Sequence, residues 1–186
     1  MKRAVFLDRD GVLNRSMVRA GRPYAPTSLD EFELLPGVVE AVTSLRTAGF
    51  LSIVVTNQPD AATGAISADT LDAMHGKLRA WLPIDDIKVC RHVDADECHC
   101  RKPRPGMLLE AAREWSIDLK RSFMVGDRWR DVSAGKAAGC TTIFVDLGYA
   151  ERQVDAPDFV VTSLAEAVKI VLRDGWQRDL NQAEKR

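Results

Sequence analysis

The chain has 186 residues with 46% hydrophobic and 28% charged side chains, an ordinary globular profile with enough length to bury a full core. Lys and Arg number 26 against 27 Asp and Glu, so the net charge of −1 gives no support for a nucleic-acid or anionic-membrane surface and leaves room only for a locally basic pocket. No run nears the roughly 18 apolar residues that cross a bilayer, and the apolar stretch after Met1-Lys2-Arg3 meets Asp8 too soon for a signal peptide, so a cytoplasmic location is expected.

The first predicted element is a strand from about Arg3 to Leu7, which runs straight into Asp8-Arg9-Asp10-Gly11. Two carboxylates at the end of a buried strand are costly unless a divalent cation lies between them. The stretch therefore reads as a nucleophile (Asp8), an acid/base (Asp10) and Mg²⁺. Val12 to Leu35 follows with little periodicity and reads as a small flap over the Asp pair. Pro36-Gly37 opens a helix with Val38, Val42 and Leu45 on one face, ending at Gly49. Phe50 to Val55 is the near-continuous apolar run of a strand covered on both faces, and it ends in Thr56-Asn57-Gln58. Pro59 to Gly64 reads as a loop. A helix then starts near Ser67, with Leu71, Met74, Leu78 and Trp81 inward and His75 beside them as a structural histidine; Pro83 stops it.

A third strand, about Asp86 to Cys90, leads into a Cys/His cluster. Arg101-Lys102-Pro103-Arg104-Pro105-Gly106 precedes a helix to about Trp115. The strand Ser122 to Val125 ends in Gly126-Asp127-Arg128-Trp129-Arg130-Asp131, which enters a short helix closed by Gly139. Thr141 to Val145 and Phe159 to Val161 are two more strands. Ser163 caps a last helix with Leu164, Ala167, Val168, Val171 and Leu172 inward. From about Asp174 a polar, frayed tail is expected, with Trp176 folding back. Strands and helices alternate throughout, so the fold class is α/β, a parallel sheet with helices on both faces, in one domain over 1–186 with its core at about 3–172. Such sheets bind ligands at the carboxyl ends of their strands. The residues expected there are Asp8, Asp10, Thr56, Lys102 and Asp127.

Together these groups suit phosphoryl transfer. Asp8 and Asp127 could share one hard cation through oxygen ligands. Thr56 and Lys102 are suited to hold phosphoryl oxygens. Asp8 would attack phosphorus while Asp10 protonates the leaving alkoxide and then activates water. A second metal is expected at Cys90, His92, Cys98 and Cys100, since three thiolates and an imidazole make a closed tetrahedral zinc site with no position left for catalysis. His99 is the rival nitrogen ligand. Lying between two ligating Cys, it is expected to point away. Cys140 stands apart and reads as a small buried hydrophobe.

The motifs Asp-Arg-Asp-Gly-Val-Leu, Val-Val-Thr-Asn-Gln, Cys-Arg-Lys-Pro and Gly-Asp-x₄-Asp, in this order, resemble the four motifs of haloacid dehalogenase-type (HAD) phosphatases. The zinc cluster inside the third makes the chain similar to the subfamily of heptose 1,7-bisphosphate 7-phosphatases and histidinol-phosphate phosphatases. The resemblance covers about residues 3 to 172. It implies a Rossmann-like HAD fold with no large cap and an Asp8 aspartyl-phosphate. Mg²⁺ would sit on Asp8, Asp127 and the Asp10 carbonyl, with zinc on the loop at Cys90, His92, Cys98 and Cys100. It further implies that Asp131 orients Lys102 or the metal's waters, and that Asn57, Gln58, Arg101 and Arg128 contact substrate. The expected substrate is a small sugar phosphate, foremost the heptose bisphosphate. Histidinol phosphate is the alternative, and a non-catalytic phospho-ligand-binding protein the remote one. Arg15, Arg19, Arg22 and Tyr24 are further candidates in the flap. A monomer without nucleic-acid or membrane partners is expected.

Overall fold

The computed structural model describes residues 1–152 and 154–183, the side chains of 176–183 excepted. The first strand, β1 (Arg3–Leu7), leads to a small hairpin of β2 (Met17–Arg19) and β3 (Arg22–Tyr24). Then come α1 (Val38–Thr47), β4 (Phe50–Asn57), α2 (Asp60–Thr63), α3 (Ala68–Trp81) and β5 (Asp86–Cys90). The second half holds α4 (Gly106–Trp115), β6 (Phe123–Gly126), α5 (Trp129–Ala138), β7 (Thr141–Val145), β8 (Phe159–Val161) and α6 (Leu164–Ala183). Six strands form one sheet in the order β5-β4-β1-β6-β7-β8. Every neighbouring pair is parallel, so all six carboxyl ends share one edge, as expected.

The two faces of the sheet carry separate apolar clusters, because successive strand residues point to opposite sides. Val5 and Leu7 of β1 join Val54, Phe123 and Val125 against α1, α3 and α6. Ala4 and Phe6 join Ile53, Val55 and Met124 against α4 and α5. Residues 4 to 7 are completely buried, which explains why this strand reads as an unbroken apolar run. Each large side chain among them contributes roughly 1.5–3 kcal/mol on leaving water. The helix starts follow their sequence signals. Ser67 Oγ accepts from the Thr70 amide at 3.0 Å, and Ser163 Oγ from the Glu166 amide at 3.3 Å.

The structure departs from the sequence expectations at four places. The flap is built on the β2–β3 hairpin, whose three-residue strands are too short to show a period. The stretch expected as a loop from Pro59 contains the one-turn helix α2. Trp81 is 40% exposed and stacks on Phe32, with ring centroids 6.2 Å apart, rather than entering the core with Leu78. The final helix does not stop near Asp174 but runs to Ala183. The expected inward fold of Trp176 lies outside the described residues. Among the described residues, no helix is long and apolar enough to cross a membrane.

Candidate active site

Asp8 follows β1 and still belongs to the sheet, its amide donating to the Val125 carbonyl at 2.9 Å. Its side chain meets Lys102, whose Nζ lies 2.8 Å from Asp8 Oδ1, 2.5 Å from Asp131 Oδ1 and 2.8 Å from the Val55 carbonyl. Three acceptors match the three donors of a buried ammonium. Burial alone would lower the Lys102 pKa, but Asp131 and Asp8 outweigh it and hold the ammonium above its usual range. The loop that delivers Lys102 is gripped by an amide: Asn57 Oδ1 accepts from the Lys102 amide at 3.1 Å, and Asn57 Nδ2 donates to its carbonyl at 3.0 Å.

Asp127 completes the acidic side. Carboxylate oxygens of Asp8, Asp127 and Asp131 lie within 4.8 Å of one another. Asp131 spends one oxygen on Lys102 and accepts from the Arg128 amide at 3.0 Å with the other. Both Asp127 oxygens are buried, and no well-formed hydrogen bond reaches either from a described residue, although the Tyr149 hydroxyl lies beside the carboxylate and pulls its pKa down. Burial first, then Asp131, pushes Asp8 up to about 6, with Lys102 pulling the other way. Burial, Asp8 and Asp131 hold Asp127 well above the usual carboxylate range. Two buried acids raised by burial and by the carboxylates beside them, one of them met only weakly by a neutral hydroxyl, are what a hard divalent cation relieves, so Asp8 and Asp127 fit Mg²⁺. Gly11 makes the approach possible. Its φ is +86°, and a Cβ there would run into the Asp127 carboxylate.

Asp10 sits differently. Its carboxylate accepts from Arg9 Nε at 3.1 Å, Arg9 Nη2 at 3.0 Å, Asn14 Nδ2 at 2.9 Å and Gln58 Nε2 at 2.7 Å. Gln58 Nε2 also reaches Thr56 Oγ1 at 2.8 Å, at the end of β4. Asp8, Asp10, Thr56, Asn57, Lys102, Arg128, Arg130 and Asp131 line one cavity of about 280 Å³, together with Pro23 and Tyr24 of the flap.

The cysteine cluster stands beside this cavity. Its sulfur separations are 3.7 Å (Cys90–Cys98), 3.3 Å (Cys90–Cys100) and 3.4 Å (Cys98–Cys100), and His92 Nδ1 lies 3.3 Å from Cys100 Sγ. The edges of a thiolate tetrahedron around zinc are about 3.8 Å, so the donors fit a structural zinc. His92, not His99, supplies the nitrogen that faces the sulfurs. Asp94, on the same loop, receives Arg101 Nε at 2.6 Å and both Nη atoms of Arg130 at 3.0 and 3.1 Å. These two arginines hold the Asp94 carboxyl down at about 2.

A HAD-hydrolase-like family model matches residues 99–167. The chain is similar to the D-glycero-beta-D-manno-heptose-1,7-bisphosphate 7-phosphatase of Pasteurella multocida, with 35% identity across 92% of this chain and 97% of that one. It is 37% identical to the protein of the same name from Pseudomonas putida, over 81% of this chain and 86% of that one. The solved D,D-heptose 1.7-bisphosphate phosphatase of B. bronchiseptica, complexed with magnesium and phosphate, matches with a TM-score of 0.81 and 34% identity over 92% of this chain and 99% of that one. This chain belongs to the HAD phosphatase family. It is a phosphoric monoester hydrolase.

The HAD motif residues Asp8, Asp10, Thr56, Lys102 and Asp131 converge on the cavity, with Asp127 buried behind Gly11. The expected substrate contacts divide. Arg128 lines the cavity, its guanidinium paired with Glu151 through Nε at 2.9 Å and through Nη2. Asn57 lines it too, but its amide is occupied by the Lys102 backbone. Gln58 is buried and faces Asp10 and Thr56, not the open cavity, because two local acceptors claim its Nε2. Arg101 does not line the cavity. Asp94 and the His92 carbonyl draw it into a neighbouring hollow on the zinc loop. In the flap, Tyr24 lines the cavity, whereas Arg15 pairs with Glu33 and Arg19 lies over the Tyr24 ring; Arg22 lines a separate hollow with Trp129. Sequence reasoning missed Arg9, Asn14 and Arg130. Only Arg130 carried a usable signal: it stands two residues from Arg128, in the first turn of α5.

Proposed function

We propose that this HAD phosphatase removes the 7-phosphate of D-glycero-D-manno-heptose 1,7-bisphosphate. One observation carries the reaction: Lys102 Nζ joins Asp8 to Asp131, and the carboxylate of buried Asp127 has an oxygen within 4.8 Å of both acids. The substrate rests on likeness to heptose-bisphosphate phosphatases across 92% of the chain, and on an open cavity whose wall holds Arg128 and Arg130, whose donors not spent on Glu151 and Asp94 suit a second phosphate.

In this reading Asp8 attacks phosphorus, the bond to the sugar oxygen breaks, and an aspartyl-phosphate forms. Asp10 gives its proton to the departing alkoxide. It then takes one from the water that attacks the aspartyl-phosphate, releasing inorganic phosphate and restoring Asp8. Thr56 Oγ1 holds a phosphoryl oxygen, Lys102 Nζ takes another as its bond to Asp8 gives way to the phosphoryl group, and Asp131 keeps Lys102 in place. Asp8, Asp127 and the Asp10 carbonyl would hold Mg²⁺, which when bound offsets the charge of these acids and of the phosphate. Cys90, His92, Cys98 and Cys100 would hold zinc and pin the loop that carries Lys102. The chain acts as one catalytic domain over 1–186, as a cytoplasmic monomer, with no nucleic-acid or membrane partner.

The test is a Mg²⁺-dependent assay across phosphate esters, run beside Asp8→Asn. Release of the 7-phosphate from the heptose bisphosphate by the wild type alone is the expected result. The short zinc loop between His92 and Cys98 favours a second substrate, histidinol phosphate; a preference for it would overturn the heptose assignment. Binding without turnover of any ester would leave only a phospho-ligand-binding protein.

A further inference from the structure

Arg9 stands between the two motif aspartates and is completely buried. Two of its donors, Nε and Nη2, fork onto Asp10. A third, Nη1, lies 3.3 Å from Nε2 of His75, a buried residue of α3. The flat guanidinium also lies over the Phe32 ring, 5.5 Å from its centroid. A guanidinium has donors only, so the imidazole must accept through a bare Nε2 and carry its proton on Nδ1. The His75 pKa agrees: burial, and after it the charge of Arg9, lowers it to about 4, so the ring is neutral at ordinary pH.

A bidentate fork locks the two planar groups to each other, but the pair can still rock as a unit unless something else holds the guanidinium. Here His75 holds a third corner and Phe32 the plane, which leaves Arg9 one orientation, and Arg9, with Asn14 and Gln58 on the same carboxylate, sets that of Asp10. We propose that His75 is a positioning residue for the acid/base, acting on Asp10 through Arg9. The inference rests on the acid/base role given to Asp10 above. It gives α3, which contributes no residue to the cavity lining, a part in the reaction.

The experiment compares two esters. An alkyl phosphate must have its leaving alkoxide protonated, whereas the nitrophenolate of p-nitrophenyl phosphate leaves without a proton. His75→Leu keeps the volume and removes the acceptor; His75→Gln returns an amide oxygen near the position of Nε2. Since general acid catalysis contributes 10²–10⁴-fold, misplacing the acid in His75→Leu should lower kcat/KM for a sugar phosphate about tenfold or more. The loss on p-nitrophenyl phosphate should be under about twofold, and His75→Gln should recover most of the sugar-phosphate activity. Equal losses on both esters, no loss, or a Gln variant as impaired as the Leu variant would each overturn the proposal. If His75→Leu fails to fold by circular dichroism, His75→Asn, whose amide stops short of Nη1, replaces it against the Gln variant. Asp10→Asn separates the two layers of the argument. If it discriminates between the esters and the His75 variants do not, this inference alone fails. If it does not, the acid/base reading fails and takes this inference with it.

Discussion

Lys102 concentrates the electrostatics of the site in one atom, because its Nζ meets two carboxylates and a carbonyl out of water. Lys102→Met would leave Asp8 and Asp131 facing each other without a counter-charge, and removing one partner of a buried pair costs about 3–5 kcal/mol. Melting temperature should fall, and kcat with it by roughly 10²–10³, the usual loss for a donor aimed at developing charge. A variant with normal melting and kcat would contradict this. A pH prediction follows from Asp8. Its pKa rises on folding from 3.8 to about 6, so the stability it contributes is fully present below 3.8 and fades as pH rises through about 6. Asp127 shifts in the same direction. Metal-free protein should therefore lose melting temperature across this window, and Mg²⁺ should raise it more at pH 7.5 than at pH 5. Thermal melts with and without MgCl₂ check this, and equal shifts at the two pH values would refute it. The acids, Thr56 and Lys102 were legible in the sequence because each falls at a strand end or in a loop that follows one. Arg9 was not: a base between two acids reads as a solvated charge, and its burial depends on Phe32 and His75, far along the chain. Asn57 and Gln58 were legible as site residues, but their partners, Lys102 and Asp10, are set by tertiary contact.

At the scale of elements, the turn after β1 and the zinc loop decide where those residues sit. Gly11→Ala would place a side chain at φ +86° and against Asp127. Backbone strain of this kind costs roughly 1–3 kcal/mol, and the displaced carboxylate should raise the Mg²⁺ concentration needed for half-maximal activity. Titration of activity with MgCl₂ reads this directly; an unchanged midpoint would mean the contact yields without effect. Removing zinc with a chelator, or Cys98→Ser, should release Asp94 and with it the anchor of Arg101 and Arg130. Activity should fall while the far-UV circular dichroism of the sheet and helices persists; full activity in metal-free protein would rule the anchoring role out. Most elements announced themselves through caps, apolar periods and glycines. The hairpin and α2 did not, because three or four residues cannot display a repeat, and Pro23 inside a strand argues against one.

For the whole molecule, the parallel sheet and its ligand edge followed from alternation, but the strand order did not, since alternation does not say which strands pair. β1 proves to be the axis, paired with β4 on one side and β6 on the other. Phe123→Ala, next to Val5 and edge-on to Phe50, should cost about 3–5 kcal/mol. For a chain of this size that is a drop of roughly 10 °C in Tm. KM should hold, since the residue lies at the opposite end of its strand from the cavity; a changed KM would show that the core deforms the site. The central place of β1 also bears on how the chain leaves the ribosome. Arg3 to Leu7 emerges before both of its flanking partners, one of which begins at Phe50 and the other at Phe123. At translation rates of about 5–20 residues per second, this sticky segment waits many seconds for its second neighbour. The residue that would carry the chemistry is thus tethered to the part of the nascent chain most exposed to misassociation, and no truncated product ending before β6 can shelter it.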